Sequence, residues 1–129
     1  MMTESAAART ARGTTLHLCA DDHWRSHSRR DEYLPEAFAG DGFVHCTDGE
    51  ELLIEVANRY YRDDPRPYVV LDVDLGRVQA TAIYEDAERR YPHIYGPIER
   101  GAVRRVRRVH RGADGAFTRV GDAIANEQH

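Results

Sequence analysis

Tyr68-Val69-Val70-Leu71-Asp72-Val73-Asp74 is the clearest strand signature in the chain, an almost continuous apolar run rich in β-branched residues. A run that does not alternate with polar residues is expected of a strand buried on both faces, so this stretch predicts a central strand with other elements packed on either side. The turn Asp63-Asp64-Pro65-Arg66-Pro67 introduces it. Working outward, Thr14 to Cys19 reads as a first strand, Phe43 to Cys46 as a short one, and Val78 to Tyr84 and Ala102 to Val109 as two more. A turn at Asp114-Gly115 precedes a short segment from Ala116 to Val120.

Two main helices fit between these strands. Asp21 or Asp22 caps the first, which turns Trp24 inward. Thr47-Asp48-Gly49-Glu50 has the form of a capping box and predicts a second helix from near Asp48. Leu52, Leu53, Val56, Ala57 and Tyr60 recur at helical spacing as its buried stripe, with Asn58 close to that face and Glu51, Glu55, Arg59 and Arg62 toward water. Tyr33 to Gly42, with Pro35, Gly40 and Gly42, predicts a loop. The sum is an α+β fold with a small, mostly antiparallel sheet and two main helices.

The chain has 129 residues, enough for one core. Residues 14–120 are expected to form a single domain, with 1–13 a disordered N-terminal tail and 121–129 a frayed C-terminal tail. No apolar run reaches the ~20 residues that cross a bilayer, and the N-terminus lacks the apolar centre of a secretory signal. Cys19 and Cys46 have neither CxxC spacing nor a dense pattern, so reduced thiols and a cytoplasmic location are expected, without a structural zinc. All 18 basic residues are arginine. The lack of lysine excludes Schiff-base chemistry, pyridoxal-phosphate attachment and the phosphate-binding lysine of P-loops. Arg100 to Arg111 holds six arginines and no acid in a chain of net charge −4. Arginines along the exposed edge of a terminal strand block edge pairing. Without interleaved aromatics, and with an acidic remainder, they make a poor nucleic-acid footprint.

Histidine exchanges protons near neutrality and also serves as a plain donor to phosphate or carbonyl. His17 lies mid-strand among apolar residues, where a structural ring tying two strands and a pocket ring are equally expected. His45 ends a strand just before a helix N-terminus, where first-turn amides favour anions; the competing expectation is that Thr47 caps those amides and His45 merely packs. His93 lies in Tyr91-Pro92-His93-Ile94-Tyr95-Gly96-Pro97, which two prolines and a glycine mark as a rigid, irregular loop. Tyr95 is placed to stack on a ring or donate its hydroxyl. His23, His27, His110 and His129 are expected to face solvent. Cys46 beside His45 on a regular strand points to the opposite face, so the two form no nucleophile–base pair. His17, His45 and His93 lack the local spacing that anchors a metal, and no metal is assigned. Glu85, with Asp86 and Glu88, ends a strand as a general base or ribose-hydroxyl acceptor.

In order, Leu16-His17-Leu18, Phe43-Val44-His45-Cys46-Thr47, Ala57-Asn58-Arg59-Tyr60 and Tyr91-Pro92-His93-Ile94-Tyr95-Gly96-Pro97 resemble the pattern of the domain of unknown function 952 family, small bacterial proteins. The likeness runs from about Thr15 to Phe117, and the last loop is its most specific part. Thr47 stands where the family pattern has serine. The resemblance implies a split-sheet fold of the ADP-ribosyltransferase type, related to RNA 2′-phosphotransferases, around a nucleotide-sized cleft. It brings His17, His45 and Tyr95 to that cleft, makes Glu85 the counterpart of a ribose-binding glutamate, and admits NAD as a cofactor.

The expected function is a small enzyme acting on a nucleotide-derived or phosphorylated small molecule. His45, His93 and Glu85 are its catalytic candidates, and His17, Thr47, Asn58 and Tyr95 bind the substrate. The alternatives are an isomerase or cyclase that tailors a metabolite by histidine acid–base chemistry without NAD, as in secondary metabolism, and a non-catalytic ligand-binding module that uses the arginine strip.

Overall fold

The computed structural model describes residues 9–124. Its order is β1 (Thr14–Ala20), α1 (Asp21–Ser26), β2 (Glu32–Tyr33), α2 (Phe38–Asp41), β3 (Val44–His45), α3 (Glu50–Tyr60), β4 (Tyr68–Asp74), β5 (Ala82–Tyr84), β6 (Pro92–Ile94), β7 (Ile98–Glu99), β8 (Val103–Arg111) and β9 (Phe117–Ala123), with single 3₁₀ turns at Leu75–Arg77 and Arg100–Ala102. The strands form a four-stranded sheet β1-β4-β8-β9, a three-stranded sheet β3-β6-β5 and a pair β2-β7, and every pairing is antiparallel.

β4 is the expected central strand. Because side chains alternate across a sheet, Val69, Leu71 and Val73 face one core, shared with Trp24, Tyr33, Val44, Cys46, Ile94 and Ile98. Tyr68 and Val70 face a second core, shared with Leu16, Leu18, Leu53, Ala57 and Phe117. The molecule is therefore layered: α3, the four-stranded sheet, then the smaller sheets with α1. One helix dominates where two were expected, since α3 has 11 residues, α1 has six and α2 has four.

Several local expectations are corrected. α3 begins at Glu50 behind Gly49, whose φ of 103° suits glycine, and no side chain caps it. Thr47 cannot serve as the cap because its backbone is bridged in both directions to Leu16 and it is buried. Asp48 is instead a junction, accepting hydrogen bonds from the hydroxyls of Thr15 (2.6 Å) and Tyr84. The buried stripe of α3 is Leu53 and Ala57, flanked by Ile54, whereas Tyr60 is 69% exposed. Segment 33–42 contains the end of β2 and the turn of α2. Val78 to Ala80 do not extend β5: they are irregular chain that follows the 3₁₀ turn Leu75–Arg77, and the strand starts only at Ala82. Both domain ends lie further out: Thr10 bridges Ile83, the Ala11 amide donates to the Ala82 carbonyl, and the Ile124 amide to that of Val106. The remainder of the two expected tails, residues 1–8 and 125–129, together with His129, lies outside the described residues.

The arginine strip is not an edge, for β8 sits between β4 and β9. Asp72 is buried, and the Arg105 and Arg107 guanidiniums across the strand pair donate to it at 2.7–3.0 Å. Arg107, also buried, reaches Glu50 at 2.9 Å and so ties the start of α3 to the sheet. Arg111 donates to the carbonyls of Arg62, Arg66 and Gly115. Arg100 stacks over Trp24. Among the described residues, no helix is long and apolar enough to cross a membrane.

His17 is wedged between the layers. Its Nδ1–H donates to the His45 carbonyl at 2.7 Å, and its Nε2 faces the Tyr33 hydroxyl at 3.4 Å. Burial lowers its pKa to about 4. His27 is also buried rather than solvent-facing, its ring against Tyr33 and the His23 carbonyl.

Two outcomes are expected. Asp72→Asn leaves the Arg107 guanidinium buried beside a neutral amide and should cost about 3 kcal/mol in urea unfolding. Because the folded His17 pKa lies below the unfolded value, its stabilising contribution is complete above pH ~6.5 and is lost as pH falls toward 4, by up to roughly 3 kcal/mol. Unfolding free energies measured across that window should show this slope in the wild type and a flatter one in His17→Gln.

Candidate functional site

β3 and β6 pair so that His45 lies directly opposite His93. In an antiparallel pair such residues share a face, and here it is the outer face of the small sheet. Phe43 and Tyr95, two positions along, join them: Phe43 stacks on His93 with centroids 4.0 Å apart and lies 4.6 Å from His45. The His45 and His93 rings are 5.7 Å apart. Val44, Cys46 and Ile94, on alternate positions, are buried in the core. Burial pushes the Cys46 thiol far above its ordinary pKa, and that of Cys19 up to about 12, which removes both as nucleophiles.

Each histidine is bound to a carboxylate. His93 Nδ1 is 3.1 Å from Glu85 and His45 Nε2 is 2.9 Å from Asp41. An ionised carboxylate only accepts, so the facing nitrogen carries the proton and the other ring nitrogen, Nε2 of His93 and Nδ1 of His45, is left as a base. Hydrogen bonds from Tyr95 and then His93 hold the Glu85 carboxyl below the usual range. The same bond raises the Tyr95 hydroxyl. His93 is the more enclosed of the two, at 20% side-chain exposure against 56% for His45.

Beside them a cleft of about 410 Å³ opens, lined by His45, Cys46, Thr47, Val56, Arg59, Tyr60, Glu85, Asp86, Tyr91 and His93. Its other wall is the α3 face that the sequence assigned to the core and to water. Val56 and Tyr60 are apolar-stripe residues that reach the cleft because the helix buries a face rotated by about one residue. Asp86 is committed to the loop, accepting from the amides of Arg90 and Tyr91. A larger depression of about 650 Å³ lies at the end of the four-stranded sheet. Of its four arginines, Arg25 is tied to Asp21, Arg66 to Asp64 and Glu36, and Arg111 to carbonyls, while Arg108 is exposed. Among the described residues its one histidine, His110, is paired with no carboxylate, so the chemistry selects the smaller cleft.

Of the residues named from sequence, His45, Thr47, Glu85 and His93 line this cleft and Tyr95 stands on its rim through Glu85. His17 does not; it is buried behind His45. Nor does Asn58, whose amide clamps the backbone of Phe117 through both its donor (2.9 Å) and its acceptor (2.7 Å), pinning β9 to α3. Asp41, Phe43, Val56, Arg59, Tyr60 and Tyr91 were missed as site residues. A Phe two positions before a strand histidine was the one available signal for Phe43, through the period of two. His93 is in a strand rather than an irregular loop, and Pro92 is tolerated because it is the first residue of β6. Gly96 is required behind it, since a Cβ there would lie 2.7 Å from that of Ala80.

The fold has solved relatives. The crystal structure of protein CC0527 from Caulobacter crescentus superimposes with a TM-score of 0.70 over 81% of this chain and 93% of that one, at 22% identity. Its solution NMR structure gives 0.59 over 79% and 89%, at 23% identity. At this identity the likeness extends to the fold. No curated protein matches the chain. The family model described as "Protein of unknown function (DUF952)" matches residues 18–106, which begins one residue after His17 and spans most of the domain and the motifs around His45, Asn58 and His93, and the chain belongs to that family.

Proposed function

We propose that this cleft is the active site of a small-molecule enzyme that moves protons with His93 and His45, acting on a nucleotide-derived or phosphorylated substrate. The observation that carries the proposal is the pair of facing imidazoles, each with one nitrogen bound to a carboxylate and the other without a partner among the described residues. Glu85 fixes the His93 tautomer and stabilises the imidazolium formed when Nε2 takes a proton. Asp41 does the same for His45 in a wetter position, which suits it to return a proton or to steady a developing anion. Tyr60 and Tyr91 in the wall, with Phe43 stacked on His93, suit a planar ring, and the volume suits a mononucleotide-sized ligand.

The finer fold reading, an ADP-ribosyltransferase-like arrangement, is supported by separate antiparallel sheets bordering a cleft. NAD itself fits poorly. Its pyrophosphate calls for several cationic or amide donors, whereas Arg59 is the single cation among the lining residues. Glu85, the counterpart of a ribose-holding glutamate, is already engaged by Tyr95 and His93. We therefore derive no step through NAD. The same engagement favours acid–base chemistry, and makes the isomerase or cyclase reading a variant of this proposal that differs only in substrate. The binding-module reading is less favoured, because Arg105, Arg107 and Arg111 are turned to internal partners and only part of the strip, with Arg104 and Arg108, stays exposed.

The test is a thermal-shift panel of nucleoside phosphates, ADP-ribose, NAD and unphosphorylated metabolites on the wild type, His45→Ala, His93→Ala and Asn58→Ala. A nucleoside phosphate should raise the wild-type melting temperature by a few degrees. Both histidine variants should melt near the wild type without ligand and lose the shift, whereas Asn58→Ala should melt lower yet keep it. A shift that survives both histidine changes would contradict the proposal.

A further inference from the structure

Every acid in the cleft wall is already spoken for. Glu85 is bound by Tyr95 and His93, and Asp86 by two loop amides. Arg59 differs: among the described residues it has no ion-pair or hydrogen-bond partner, and it is the one arginine in the wall. Other arginines near this part of the fold are engaged, Arg62 by Asp114 and Arg90 by Glu88. Among the residues lining the cleft, the uncommitted formal charge is thus a single positive one, carried on the last turn of α3. Val56, three residues before it, lies on the same helical face, and the next residue, Tyr60, is exposed and also lines the cleft.

We infer that Arg59 is the anion anchor of the cleft, binding one oxyanion of the substrate while Tyr60 receives its planar ring and His93 meets the reacting atom on the opposite wall. The inference rests on the proposed acid–base site and narrows its substrate class to molecules with a single oxyanion, phosphate or carboxylate, attached to a flat ring system. A guanidinium matches either oxyanion with two parallel N–H donors. Because the arginine is exposed on a helix already held by Leu53, Ala57 and Arg107, replacing it leaves the fold intact.

Two ligand pairs that differ in charge test it and separate the sources of the oxyanion: 5′-AMP against adenosine, and nicotinic acid against nicotinamide. Dissociation constants are measured by calorimetry for the wild type, Arg59→Gln and Arg59→Lys. The charged member of at least one pair should bind the wild type on the order of 10- to 100-fold tighter than its neutral partner. Arg59→Gln should erase that preference without changing the neutral affinity by more than about twofold, and Arg59→Lys should restore part of it. Equal binding of charged and neutral members, or a preference that survives Arg59→Gln, overturns the anchor. If uncharged metabolites from the thermal panel bind and neither charged probe does, the anchor fails alone. If no ligand of either experiment binds, the anchor and the underlying acid–base site fail together.

Discussion

The hydrogen bond from the buried His17 imidazole to the backbone carbonyl of His45 is the constraint on which the site depends. It joins the four-stranded sheet to the small sheet through the interior. A backbone carbonyl fixed inward fixes the local twist of β3, and with a side-chain period of two it decides which of Val44, His45 and Cys46 face out. With the register set, His45 meets His93 across the ladder and Cys46 is driven into the core. A phenylalanine or leucine in place of His17 would fill the volume and leave that carbonyl without its donor, which is why a polar ring occupies an otherwise apolar layer.

Around this wedge the structure divides labour between two polar clusters. Asp72 and Arg107 are buried and, with Arg105 and Glu50 closing the network at the surface, hold α3 to the four-stranded sheet. Asp41, His45, His93, Glu85 and Tyr95 lie at the surface of the small sheet, where solvent and ligand reach them. α3 serves both. Its Leu53 and Ala57 close one core, and its Val56, Arg59 and Tyr60 form a wall of the cleft.

The sheet core was legible because it rests on composition: Tyr68 to Asp74 has no polar alternation and could only be a strand covered on both sides. The motifs were also visible, since His45 and His93 stand beside prolines and glycines that betray a fixed backbone. What sequence did not disclose was direction. Asn58 lies near the apolar face of its helix, yet whether it faced the cleft or β9 depended on a rotation of about one residue. His17 stands on the same face of β1 as Thr15 and Cys19, and only the packing of a second sheet over that face makes it interior. Glu85 follows β5 by one residue, where strand alternation no longer governs the side chain. The capping box failed for a tertiary reason, because Thr47 is drawn into a bridge with Leu16 and the tight turn passes to Gly49.

The most direct measurement is of histidine tautomers and titration by long-range ¹H–¹⁵N NMR on the uniformly labelled protein. The account predicts His17 neutral, protonated on Nδ1 and not titrating until pH nears 4, and His93 protonated on Nδ1 with Nε2 free in its neutral form. A His17 ring that titrates near its ordinary pKa of ~6.5, or a His93 ring carrying its proton on Nε2, would contradict the geometry from which the site is built.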